Sequence, residues 1–377
     1  MVNYDQLGVT RVINAAANNT RLGGCIMDPE VVKAMAGAST WFVDMDQLQR
    51  QAGKYIAQIT GAEDGLVTSG AACGLLLGTA ACITGENRPM QLAIPEDVDA
   101  EVIIPKGQLT GYHQAVKTAG AKLIEVGLPY RVSIEEMESA VTEKTVALCY
   151  TFGEITSKVG MISLQDMVAI GKKFGIPTLV DASVASYPPS RMKEHIECGA
   201  DLVAFSGAKH IYGPPASGFI CGRADLIAAC RRQAGPEYGI GRPCKVSKEE
   251  IVGLIRALEL YLSRDIETEL RLWELQVSKM IDLLSGLPYL KARRIFPDEV
   301  DRPVPRVEVV LDEASLGFSA RDLAGNLRRH DPSIRSQEFL LDGGIMILNP
   351  LGLFEGDEKI IADVFREIWK SKGIISD

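Results

Sequence analysis

The chain has 377 residues, 46% hydrophobic and 24% charged, enough for a sizeable core in one large domain plus a smaller one. Its 49 acidic residues outnumber 40 basic ones, and no run of Lys and Arg builds a local basic patch. A surface of that sign repels a phosphate backbone, so nucleic acid is excluded as an expected partner. None of the eight cysteines are paired at Cys-x-x-Cys spacing, and most sit in apolar stretches. That usage argues for reduced thiols in the cytoplasm, with neither a disulfide framework nor a metal site. The first residues lack a basic stretch leading into an apolar one, so no signal peptide is expected.

In chain order, the first long apolar stretch runs from Gly65 to Gly85 without a charge. Its length could span a bilayer, but it is rich in Gly, Ala, Ser and Thr and lacks basic flanks. A buried strand, a polar turn at Thr68-Ser69-Gly70 and a helix over Ala71–Ile83 are expected instead, and no membrane partner. Further strands are expected at Val102–Ile104, Leu123–Val126, Val146–Tyr150, Thr178–Asp181, Leu202–Phe205 and Gly218–Cys221, joining Leu66–Thr68. Several are apolar on consecutive residues, as in strands covered on both faces. Helical patterns separate them at Tyr112–Ala119, Ile134–Val141, Leu164–Phe174 and Met192–Cys198, with Ala224–Gln233 after the last. This alternation predicts an α/β fold with a mostly parallel seven-stranded sheet.

One long helical pattern follows from about Lys248 to Leu284, with apolar residues at i+3/i+4 spacing. Leu287–Pro305 holds four prolines and many charges and reads as a linker or irregular connection. A smaller C-terminal α/β domain is expected beyond it. Its elements are the strand Arg306–Leu311, the helix Ala320–Arg329, strands near Ile334–Phe339 and Ile345–Leu348, and the helix Asp357–Lys372.

Four short signals carry chemistry. An apolar strand ends in Ser206-Gly207-Ala208-Lys209, and a Gly/Pro-rich turn follows. A lysine there lies at the carboxyl edge of a parallel sheet, where ligands bind. Taken alone, Lys209 reads first as an exposed loop lysine. Asp181 ends the strand Thr178–Asp181, 28 residues before Lys209, leaving room for one helix and one strand between them. A buried acid at such an edge needs a cationic partner, although a turn or helix-cap role suits Asp181 equally well. Ser69, Gly70 and Ala71 open a helix with small side chains, as a phosphate site requires. His113, in Gly111-Tyr112-His113, is a flat side chain able to stack on a ring, with Tyr112 as its substitute. The other histidines are 195, 210 and 330. His195 and His330 lie in charged helical surroundings and are expected to be solvated.

The order of these signals resembles the fold-type I (aspartate-aminotransferase-like) enzymes that use pyridoxal 5'-phosphate (PLP). Within them the chain is similar to the group containing bacterial selenocysteine synthase and D-glucosaminate-6-phosphate ammonia-lyase, and more to the ammonia-lyase side. The segments that carry this are Ile13–Ala16, Thr20–Gly24, Phe42–Met45, Thr68–Ala72, Val180–Ala182, Ser206–Lys209 and Gly239–Pro243. The resemblance implies that Lys209 holds PLP and that Asp181 pairs with its ring nitrogen. It further implies that Ser69, Gly70, Ala71 and Ser206 cradle the phosphate while His113 stacks on the ring. Arg21, Arg242, Lys245 and Arg335 are its implied substrate contacts, with Arg242 and Lys245 able to serve a neighbouring subunit. A surface ion pair is an equal reading for Arg335. The implied domains are 1–45, packing with the small domain, 46–260 and 261–377, in a homodimer or larger homo-oligomer.

The implied reaction is removal of the Cα proton of an amino acid or amino sugar acid, loss of its β-hydroxyl, and release of ammonia. Alternatives are selenium transfer as in selenocysteine synthase, another PLP reaction such as racemisation or aldol cleavage, and a binding protein without activity. The chain departs from the resemblance at Ala17-Asn18-Asn19, Cys73 and Ser183 to Ser186. These positions bear on the substrate more than on the cofactor.

Overall fold

Segments that are apolar on consecutive residues can be buried only when both faces of a sheet are covered. The computed structural model describes residues 4–96, 98–153, 156 and 158–376. Their contacts divide the chain into two units, Met27–Ser263 and Met1–Ile26 with Arg264–Asp377. After β1 (Val12–Ala15), which belongs to the smaller unit, the chain runs through α1 (Pro29–Ser39), α2 (Met45–Thr60), β2 (Asp64–Thr68), α3 (Ala71–Thr84) and α4 (Arg88–Ala93). It continues through β3 (Glu101–Pro105), α5 (Gln114–Thr118), β4 (Lys122–Val126), α6 (Ile134–Ser139), β5 (Thr145–Thr151) and α7 (Leu164–Phe174). The larger unit ends with β6 (Thr178–Asp181), α8 (Arg191–Glu197), β7 (Leu202–Ser206), β8 (Gly218–Gly222), α9 (Ala224–Gln233) and α10 (Lys248–Leu262).

Strands β2 to β8 form one seven-stranded sheet in the order β2-β8-β7-β6-β5-β3-β4. Neighbours from β4 to β7 run parallel, and β8 alone is reversed, antiparallel to both β2 and β7. The charge-free stretch becomes β2, the turn and α3, a helix buried on nearly every side. Gly78 allows α3 to lie close on the sheet, since a Cβ there would come within 2.9 Å of Leu179. Among the described residues no helix is long and apolar enough to cross a membrane.

Caps decide the boundaries that periodicity leaves open. Ser163 accepts from the Asp166 N–H to start α7, and Gly175 ends it with φ +70°. Ser247 and Glu250 form a reciprocal capping box at α10. The single helix expected over Lys248–Leu284 is two helices. Asp265 accepts from the Thr268 N–H and starts α11 (Ile266–Leu284) afresh, so a capping signal overrides an unbroken apolar pattern.

In the smaller unit, α11 is followed by β9 (Leu290–Ile295), β10 (Arg306–Leu311), α12 (Glu313–Leu316), α13 (Ala320–Arg329), β11 (Ser333–Ser336), β12 (Ile345–Leu348) and α14 (Asp357–Ser371). The antiparallel sheet β12-β10-β9 is joined by a separate parallel pair, β1 with β11. Val307, Val309, Leu323, Phe365 and Trp369 pack in its core. Strand β9 corrects the reading of 287–305 as irregular. Its Lys291, Arg293 and Arg294 resemble linker residues in sequence, yet an edge strand carries its charges on the solvent side. Residues 27–45, expected with the N-terminal segment, belong to the larger unit, where α1 packs on α10.

Candidate active site

The parallel pairing of β6 with β7 brings the ends of these strands together. Asp181 is the last residue of β6 and only 4% exposed. Its Oδ1 accepts the Ser183 N–H at 3.0 Å. Lys209 lies three residues past the end of β7, and its Nζ reaches the Ser183 hydroxyl at 3.5 Å. Ser183 thus bridges a buried carboxylate and a lysine amine. The pairing was legible in the strand ends, whereas the bridging serine was not, because nothing in the sequence says which way it points.

The Ser69–Ala71 turn lies across β8 from the strand that leads to Lys209. Gly218 of β8 pairs with Thr68 on one side and Ser206 on the other, so the Ser69–Ala71 turn and Ser206 flank a single glycine. Helix α3 starts at Gly70, φ +130°, with no side-chain cap and no acidic residue in its first turn. Its first N–H groups are left for an anion. A Cβ on Gly218 would come within 2.8 Å of the Gly70 backbone and 2.5 Å of the Phe205 carbonyl oxygen. Gly218→Ala is therefore expected to push the turn aside and to weaken PLP binding by about tenfold, on the scale of overpacking a tight site. Fluorescence titration of the PLP-free protein measures this, and unchanged affinity would detach the turn from phosphate binding.

His113 closes a short 3-10 turn over Gly111–His113, and Gln114–Thr118 continues it as α5, later than the helix expected from Tyr112. Thr110 donates its N–H to Nδ1 at 2.9 Å, and Nε2 lies 2.9 Å from the Thr151 hydroxyl. Nδ1 also lies 3.1 Å from the Thr110 carbonyl oxygen, so which ring nitrogen donates depends on the tautomer. Burial pulls the His113 pKa below its ordinary value, although Thr110 and the nearby Asp181 carboxylate act in the opposite sense. The ring is thus held neutral. Thr151 ends β5 and is the register partner of Asp181. Tyr112, the alternative ring, is 63% exposed.

These parts fit a flat, cation-bearing ring with a phosphate tail. They include a buried carboxylate for the cation, a neutral imidazole for stacking, an uncapped helix start for the phosphate, and an amine beside the carboxylate. Among the described residues, the Gln108 Nε2 donor, next to Thr151, is also left buried without an acceptor.

The remaining expected residues are spread over both units. Arg242 and Lys245 are exposed around a 3-10 turn in the larger unit, with no ion pair among the described residues. Arg21 is exposed in a 3-10 turn of the smaller unit. Arg335 is half-buried on β11, opposite Asn14 of β1, and its Nε donates to Ser333, with no carboxylate pair among the described residues. His195 corrects the expectation of a solvated residue. It is 5% exposed, with Nε2 2.9 Å from the Ala185 carbonyl, because the inward face of α8 sets its burial. His330 is half-buried beside Glu367. His210 is buried and stacks on Tyr187, with ring centroids 5.0 Å apart. Among the described residues no cluster of His, Cys, Asp and Glu could hold a metal ion.

Comparison with known proteins bears on the family and the fold. The family model described as L-seryl-tRNA selenium transferase matches residues 12–285. A 5'-C-glycyluridine monooxygenase-decarboxylase of Streptomyces sp is 36% identical over 95% of this chain and 90% of its own length. D-Glucosaminate-6-phosphate ammonia lyase of Salmonella typhimurium is 34% identical over 97% of both chains. A solved D-glucosaminate-6-phosphate ammonia-lyase superposes with a TM-score of 0.85 at 33% identity, covering 99% of this chain and 100% of that one. A serine palmitoyltransferase of S. paucimobilis with bound PLP shares the fold alone, with a TM-score of 0.58 at 15% identity over 97% of this chain and 89% of that one. The sheet topology and these matches identify a fold-type I enzyme scaffold, and the protein belongs to the L-seryl-tRNA selenium transferase family.

Proposed function

We propose that this protein is a PLP-dependent carbon–nitrogen lyase acting on a 2-amino-3-hydroxy acid, with D-glucosaminate 6-phosphate as the first substrate to test. The observation that carries the reading is the bridge from buried Asp181 through Ser183 to Lys209 at the ends of adjacent parallel strands. The relatives' names support the substrate class. A seryl group, a glucosaminate and a 5'-C-glycyluridine each carry an amino group next to an acyl carbon and a hydroxyl one carbon further.

Bound PLP would supply an electron sink for the pair left on the substrate's α-carbon. Asp181 would hold the ring nitrogen positive. The α3 start, Ser69 and Ser206 would take the phosphate, and His113 would cover the ring. Lys209 would hold the cofactor, then take the Cα proton as a general base once a substrate amine replaces it. Loss of the 3-hydroxyl, followed by water entering at C2, leaves a 2-keto-3-deoxy acid and ammonia. Arg21, Arg242, Lys245 and Arg335 are proposed to meet the carboxylate and phosphate of the substrate, a task suited to the planar guanidinium fork. The reading includes a cytoplasmic homodimer or larger homo-oligomer and a large domain that carries PLP.

The test is to supply D-glucosaminate 6-phosphate to the PLP-loaded protein and assay ammonia and 2-keto acid together. Equal release of both is expected, and release of neither removes this substrate. A second reading, oxygen-dependent decarboxylation, is favoured by the 36% identical relative. Oxygen uptake with carbon dioxide in place of ammonia release would select it.

A further inference from the structure

Gln108 closes the turn Lys106–Gln108 directly after β3, and it is only 3% exposed. Its Oε1 accepts the Thr151 N–H at 2.9 Å. That bond fixes the orientation of the amide and leaves Nε2 as a buried donor with no acceptor among the described residues. Burying such a donor unmade is costly, so a donor held this way calls for an acceptor in the working protein. Thr151, its anchor, also meets His113 through its hydroxyl and pairs in register with Asp181. The orphan donor thus belongs to the group of side chains around the proposed ring site.

We propose that Gln108 is a cofactor-positioning residue whose Nε2 donates to an oxygen of the PLP ring. The inference rests on the PLP reading above. Two observations choose the ring over other acceptors. The phosphate turn follows β2 at the far side of the sheet order, whereas Gln108 follows β3, next to β5. A substrate must come and go through solvent, while a donor this deeply buried suits a group that stays.

Gln108→Glu isolates the donor. It keeps an oxygen for the Thr151 N–H and almost the same volume. Its second oxygen can donate only while the carboxyl is protonated. PLP affinity, the visible absorption of the bound cofactor and the melting temperature of the PLP-free protein are compared between the full-length wild type and the variant across pH. At alkaline pH the variant is expected to bind PLP about tenfold more weakly, one lost hydrogen bond's worth, with a shifted absorption maximum. The ratio to wild type is expected to close as the pH falls and the carboxyl protonates. A ratio of one at every pH, or a loss that does not vary with pH, overturns the inference. Gln108→Leu, which removes both bonds, serves if the carboxyl variant does not fold, and unchanged affinity and absorption there also overturn it. If the wild type takes up no PLP, the PLP reading falls and this inference falls with it; if it does and the variant matches it, only the inference falls.

Discussion

Lys209→Ala is expected to lower ammonia and 2-keto acid release by at least about 10³-fold, the scale of one positioned general acid–base group. The expectation rests on position. The amine stands 3.5 Å from the Ser183 hydroxyl, whose backbone N–H is bonded to Asp181. The lysine lies three residues past the end of β7, and Asp181 ends the adjacent β6. The side chain is only half-buried, so its truncation leaves the packing of β6 and β7 intact, and the melting temperature is expected to stay near the wild-type value. Covalent attachment supplies a readout independent of turnover. Borohydride reduction of the PLP-loaded wild type is expected to add the cofactor mass to the peptide containing Lys209, and to add nothing to the variant. Attachment at a different lysine would remove Lys209 from its proposed role whatever the activity.

Asp181→Asn is expected to cost about as much by a different route. The asparagine oxygen can still accept the Ser183 N–H, so the strand end keeps its geometry. What disappears is the charge. A carboxylate about 4 Å from a ring cation contributes about 4 kcal/mol at an effective dielectric near 20. Removing it predicts a loss of about 10³-fold in kcat/KM. PLP should remain bound, more weakly, because the Ser69–Ala71 turn and Lys209 are untouched. A variant retaining more than a tenth of wild-type kcat/KM would mean that Asp181 is a strand-end cap and not the partner of a cation.

The positions of the seven large-unit strands were legible because each is a short apolar run bounded by turn residues. Lys209, Asp181 and the Ser69–Ala71 turn were legible because they stand at the ends of those runs. Helices α1 and α2 were not marked in the sequence reading: α1 buries only Val31, and in α2 the buried Ala52 and Ile56 stand among polar residues. The break at Ser263–Asp265 was hidden by unbroken periodicity on both sides, and the burial of His195 by its charged neighbours in sequence.

The sequence by itself determined the alternation of strands and helices and the strand-end residues whose order resembles that of PLP enzymes. These are local properties, written in runs of a few residues. Only the tertiary structure decided that β8 runs against its neighbours, that Gly218 separates the Ser69–Ala71 turn from Ser206, that Ser183 joins Asp181 to Lys209, and that Thr151 joins His113 to Gln108. Each of these depends on which strands become neighbours and in what register. Non-local pairing sets that choice, and residues far apart in the chain record no trace of it in their own surroundings.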